Sequence, residues 1–254
     1  MVKEEALTRR ELSYLRSETQ RLCQRYIDEI VLPYALCPWA EMALRNDRVQ
    51  THVIMSEFEG KRGIAQAAEQ LHQVLSEEIN VRCELALIVF PRTNFSRLEM
   101  DELLRATRQI QRPTGEAAPV SPQERYSPIE KDSFALAAFH PDAKVDDETP
   151  ERLIPFLRRT PDPMIQAVRI STLSKIDPDR GSGTAFFDVE NIDLTTLNQL
   201  NIPCAPNESL RLQVARANLK TCKRAGFREL EEIYSSIFED HTASRAKKNT
   251  PSEQ

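Results

Sequence analysis

The chain has 254 residues, 40% hydrophobic and 29% charged, the ordinary balance of a globular protein able to bury a core. Its 39 acids and 34 bases leave a net charge of −5, and the bases are spread along the chain rather than gathered into the basic stripe that nucleic acid requires. No apolar run approaches the ~20 residues that span a bilayer, and the charged N-terminus lacks the apolar stretch of a secretory signal, so a cytoplasmic protein with no membrane partner is expected.

Thr8 to Val31 places Leu15, Leu22, Cys23, Tyr26, Ile27 and Ile30 at helical spacing, and Thr8 with Glu11 forms a capping-box pattern. Val49 to Ser56 reads as a strand. Gly63 to Ile79 reads as a helix with Ile64, Ala67, Ala68, Leu71, Val74 and Leu75 on one side. Glu84 to Phe90 (ELALIVF) is almost wholly apolar, as befits a strand buried on both faces, and Pro91 ends it. Ser96, with Glu99 three residues on, caps a helix through about Ile110. Residues 112–131 contain Pro113, Pro119, Pro122 and Pro128 and little apolar matter, the composition of a solvated insertion. Ser133 to Phe139 is a third strand.

Thr160 as N-cap and Pro161 at the first helical position then predict a helix to about Ile176. After a loop-rich stretch over 177–206, two helices are expected at Asn207–Ala225 and Phe227–Glu239, with Gly226 as the stop between them. The polar tail over 242–254 is expected to be disordered. The expected architecture is α/β: three or more mostly parallel strands in βαβαβα order with packed helices, plus a C-terminal helical pair, in one domain over 1–241. A ferredoxin-like α+β sheet of split βαβ type is the alternative. Sites in open α/β sheets favour the carboxyl ends of the strands.

Four places could carry chemistry. Cys37, in Leu36-Cys37-Pro38-Trp39-Ala40, is fixed by the following proline and flanked by the chain's sole tryptophan. It reads as a nucleophile or thiolate ligand, or as a cysteine and tryptophan plugging the core. The five cysteines (Cys23, Cys37, Cys83, Cys204 and Cys222) form no C-x-x-C pair, so zinc-knuckle spacing is absent and no metal is assigned. His140, in Phe139-His140-Pro141-Asp142, sits where the third strand exits, placed to face a cleft, or simply structural. Arg159, beside Thr160, precedes the expected helix N-terminus, where an anion is favoured. Arg169, on the apolar stripe of that helix with Ile165, Leu173 and Ile176, needs a carboxylate, a set of carbonyls or an anionic ligand.

These runs together resemble the family catalogued as domain of unknown function 1415, whose pattern is LCPFA, SFHPDYQF, NRSPYP and LLREAS. The corresponding runs here are LCPWA (Leu36–Ala40), AFHPDAKV (Ala138–Val145), RRTPDP (Arg158–Pro163) and AVRIST (Ala167–Thr172). The resemblance implies Cys37, His140, Asp142, Arg159 and Arg169 as site positions. Three positions depart from it: Ala35 replaces an asparagine, Asp162 a tyrosine and Ile170 a glutamate.

The expected function is a small-molecule enzyme. Cys37 acts as nucleophile, His140 and Asp142 assist it, and Trp39, Arg159, Thr160 and Arg169 bind an anionic substrate for acyl or amidino-type transfer or hydrolysis. The cofactor and the oligomeric state stay open. A Cys37–His140 metal site and a non-enzymatic binding or assembly module are the alternatives.

Overall fold

The computed structural model describes residues 7–110, 134–172 and 210–247. Helix α1 (Arg9–Tyr26) opens with the expected capping box: the Thr8 hydroxyl accepts from the Glu11 N–H, and the Glu11 carboxylate accepts from the Thr8 N–H at 2.7 Å. Its end widens into a π-type turn over Ile27–Val31. The chain continues through α2 (Ala40–Arg45), β1 (Val49–Val53) and α3 (Gly60–Gln73), which ends in a second π-type turn over Val74–Glu78. There follow β2 (Leu85–Val89), α4 (Arg97–Ile110), β3 (Phe134–Phe139), α5 (Pro150–Leu157), β4 (Met164–Arg169), α6 (Leu210–Ala225) and α7 (Phe227–Lys247).

The strands form one open sheet in the order β1-β2-β4-β3. β1 and β2 pair in parallel, whereas β4 pairs antiparallel with both β2 and β3. Strands β1, β2 and β3 therefore all run the same way, and β4 runs against them between β2 and β3. The three expected strands do share a sheet, and within ELALIVF the strand Leu85–Val89 is interior and buried at every position. The expectation of a mostly parallel sheet is corrected: of the three pairings described, one is parallel.

Period-two alternation sorts the sheet's side chains onto two faces. Leu85, Leu87, Val89, Phe139, Met164 and Val168 point to one, which α1, α5 and α7 cover. Ala86, Ile88, Phe134, Leu136, Ile165 and Ala167 point to the other, under α3 and α4. The result is three layers with a core on each side of the sheet. Among the described residues no helix is long and apolar enough to cross a membrane.

The helix expected from Thr160 is instead β4. Pro163 disfavours the helical conformation for Asp162, so Pro161-Asp162-Pro163 enters extended, and MIQAVR alternates with β-branched residues on both faces. The stronger helix start lies earlier: the Thr149 hydroxyl accepts from the Arg152 N–H and Pro150 occupies the first turn of α5. Gly226 divides α6 from α7 as expected, with φ +98°, and its N–H donates to the Cys222 carbonyl at 2.8 Å. Helix α7 runs past the expected Glu239 and into the expected tail, because Ser244 and Arg245 find partners in the body of the protein. The 112–131 insertion, Cys204 and residues 248–254 lie outside the described residues.

Candidate functional site

The LCPWA run is a tight reversal between α1 and α2. After the π-type turn, the Leu36 N–H donates back to the Val31 carbonyl at 3.0 Å, and the Ala40 N–H donates to the Cys37 carbonyl at 3.1 Å. Ala35, at the corner, has φ +48°. A Cβ residue pays roughly 1–2 kcal/mol in that left-handed conformation, and asparagine is one of the few side chains that tolerates it. Ala35 carries that strain here. From α6, the Asn218 side-chain amide donates to the Leu36 carbonyl at 3.1 Å and pins the loop.

Cys37 and Trp39 line a cavity of about 320 Å³ between this loop, α6 and the first face of the sheet. Leu85, Leu87, Val168 and Phe139 form much of its apolar wall, and Arg158, Gln166 and Asn218 bring polar groups to it. The Gln166 Nε2 lies 3.9 Å from the Cys37 Sγ. Enough protein surrounds the half-buried thiol to push its pKa above the usual value. The N–H groups of Trp39 and Ala40, the Gln166 amide and the Arg158 charge pull the other way without overcoming burial. The Trp39 indole N–H is buried without a hydrogen-bond partner.

The other expected residues lie elsewhere. His140 is buried at the exit of β3; its Nε2 sits 2.6 Å from the Phe95 carbonyl, which only accepts, so Nε2 carries the hydrogen. Its Nδ1 accepts from the Asp142 N–H at 3.0 Å. Both ring nitrogens are thereby held by main chain. Phe95 belongs to the second core, whereas Cys37 packs against the first. No hydrogen bond described for the His140 ring reaches Cys37; both of its nitrogens bond main chain. Among the described residues no group of three His, Cys, Asp or Glu side chains could hold a metal. Asp142 borders a shallow groove with Arg97, Lys144 and Arg152.

Arg159 turns away from the cavity. Its guanidinium donates to Glu231 at 2.8 Å and lies over the rings of Phe156, Tyr234 and Phe238, 5.6, 5.0 and 5.4 Å from their centroids. Thr160 is buried, and its hydroxyl donates to the Asp162 carbonyl at 2.8 Å, fixing the approach to β4 rather than capping a helix. Arg169 ends β4. Its Nε donates to the Cys83 carbonyl at 2.8 Å, an Nη to the Asn80 carbonyl at 3.2 Å, and its plane lies 4.6 Å from the Phe134 centroid. These bonds tie the loop before β2 to the end of the sheet. Arg169→Met should therefore destabilise the ligand-free protein by about 2–3 kcal/mol in urea unfolding, because charge-assisted bonds to buried carbonyls are lost. An unchanged midpoint would contradict this structural role.

Sequence reasoning missed Arg158, Gln166 and Asn218. Gln166 is the polar residue in the interior of β4, between Met164-Ile165 and Ala167-Val168, a signal readable only once MIQAVR is seen as β rather than α. Arg158 and Arg159 are neighbours at the end of α5, and nothing in the sequence tells which faces the cavity.

Compared with known proteins, the chain matches the model of a family described as "Protein of unknown function (DUF1415)" over residues 18–192. No curated protein and no solved structure matches it.

Proposed function

The chain belongs to the DUF1415 family, whose description assigns no activity, and from its own side chains we propose that the protein binds a small organic molecule in the Cys37–Trp39 cavity. The observation that carries this reading is the cavity itself, about 320 Å³ with apolar walls and a few polar groups brought to it. That size falls at the lower end of the ~300–1,000 Å³ usual for small-ligand sites. A binding role fits better than thiol catalysis. Burial holds the Cys37 thiol protonated, its side-chain neighbour Gln166 is no base, and the nitrogens of His140 are committed elsewhere.

Thiol modification separates the two roles. Methyl methanethiosulfonate, small and uncharged, should modify Cys37 before Cys23, Cys83 and Cys222, all three of which are buried. Because the thiol pKa is raised, the rate at Cys37 should be low at neutral pH and still climbing above about pH 9. Peptide mass spectrometry reads both results. A rate already at its plateau near pH 7 would mean a preformed thiolate and would restore the nucleophile; labelling no faster than at the buried cysteines would close the cavity to ligands.

A further inference from the structure

We infer that the ligand of this cavity is an uncharged carboxamide, its apolar body against the sheet and its amide paired with that of Gln166. The inference rests on the reading of the cavity as a ligand site and specifies what enters it.

Gln166 stands in the middle of β4, on the face that also carries Met164 and Val168. In register it lies between Leu87 of β2 and Ala137 of β3, so its amide rises from the floor of the cavity with apolar side chains on either hand. The floor owes its depth to β3, where Ala135 and Ala137 stop at Cβ while β2 carries Leu85 and Leu87 in the matching positions. Although β4 is interior to the sheet, Gln166 is only half-buried, because the space above it is the cavity. Among the described residues its one hydrogen-bond partner is the Cys37 sulfur, a weak acceptor 3.9 Å from Nε2. The side chain thus holds out a donor and an acceptor side by side, and leaving them unmet against apolar walls is costly.

A ligand that meets both must present the same two functions reversed. A second amide does so edge to edge: its carbonyl accepts from Nε2 and its N–H donates to Oε1. A ketone or an ester meets the donor alone. A carboxylate also brings no hydrogen, and its charge finds no free countercharge in the cavity. Burial holds Cys37 protonated, and Arg158, the one charged residue among the described residues that line the space, already has a partner of its own and lies 5.6 Å from the Phe139 centroid. Leu85, Leu87, Val168 and Phe139 give the rest of the molecule, an alkyl chain or a ring, its apolar contacts.

Trp39 is the sole tryptophan of the sequence and lines the cavity, so its emission reports occupancy. The full-length protein would be titrated at neutral pH with hexanamide and with two molecules of nearly the same shape, 2-heptanone and hexanoate. Hexanamide should shift the emission maximum saturably, with 2-heptanone roughly tenfold weaker, the effect of leaving one carbonyl without its donor, and hexanoate weaker still. Gln166→Leu should erase the preference for hexanamide over 2-heptanone. Its urea midpoint should equal or exceed that of the unmodified protein, since the amide makes no strong bond within the fold. A lower midpoint would make Gln166 a structural residue and overturn the assignment. So would 2-heptanone or hexanoate binding as tightly as hexanamide to the unmodified protein, although the cavity would then stand as a binding site. No shift with any of the three probes would overturn both readings.

Discussion

Tyr234→Ala should lower the stability of the protein by about 3–5 kcal/mol, the cost of emptying a large buried aromatic site. Tyr234 is fully buried in α7, where its ring meets Phe156 at 5.2 Å and Tyr26 at 6.5 Å and forms one wall of the slot that holds the Arg159 guanidinium. Its hydroxyl donates to the Leu157 carbonyl at 3.2 Å, and the Tyr26 hydroxyl donates to the same carbonyl at 2.8 Å. Truncation therefore removes ring contacts, a hydrogen bond and part of a cation–π environment at the junction of α1, α5 and α7. Tyr234→Phe isolates the hydroxyl and should cost only about 1 kcal/mol, because Tyr26 still satisfies the carbonyl. Urea unfolding of both variants checks the ordering; a Phe variant as unstable as the Ala variant would assign the effect to the hydroxyl instead.

Arg245→Met should cost on the order of 3 kcal/mol. Asp162 is buried at the entry to β4, and both of its carboxylate oxygens accept from one Arg245 Nη at 2.9 Å, while His241 Nε2 lies 3.0 Å from Oδ1. Removing the guanidinium leaves a buried carboxylate with only the imidazole to compensate it. Adding Asp162→Leu to Arg245→Met should recover much of the loss, since the uncompensated charge, more than the missing bond, is what destabilises. The double-mutant cycle is read from unfolding midpoints. A double variant less stable than Arg245→Met alone would show that the pair contributes net stability of its own.

The parts of the fold that follow from local pattern were legible in the sequence. The capping box of α1, the strand ELALIVF, the Ser96 cap of α4 and Gly226 each depend on residues within a few positions of one another. β4 was not legible as a strand, because Thr160-Pro161-Asp162 imitates a helix start and the correction comes from Pro163 acting on the residue before it. The site was half legible. Cys37 and Trp39 were singled out and do line the cavity, yet the residues that join them come from β4, α5 and α6. Arg159 attracted attention beside an expected helix N-terminus, Arg169 on an apolar stripe, and His140 at the exit of a strand. Their partners are a distant glutamate with three rings, two loop carbonyls with Phe134, and the main chain of Phe95 and Asp142. Residue type announces that such a partner must exist; only long-range packing decides what it is.

The position of β4 also constrains the order of assembly. β1, α3 and β2 are consecutive in the chain and pair directly, so this unit closes only modest loops and can form as soon as its own residues are present. β3 has no such option: its sole partner among the described strands is β4, and β4 must first be laid along β2. The far half of the sheet is thus a late event, awaiting residues 164–169 although β3 is complete at 139. Until then the apolar edge of β2 stands open, the surface through which an incomplete or truncated chain would pair with another copy of itself.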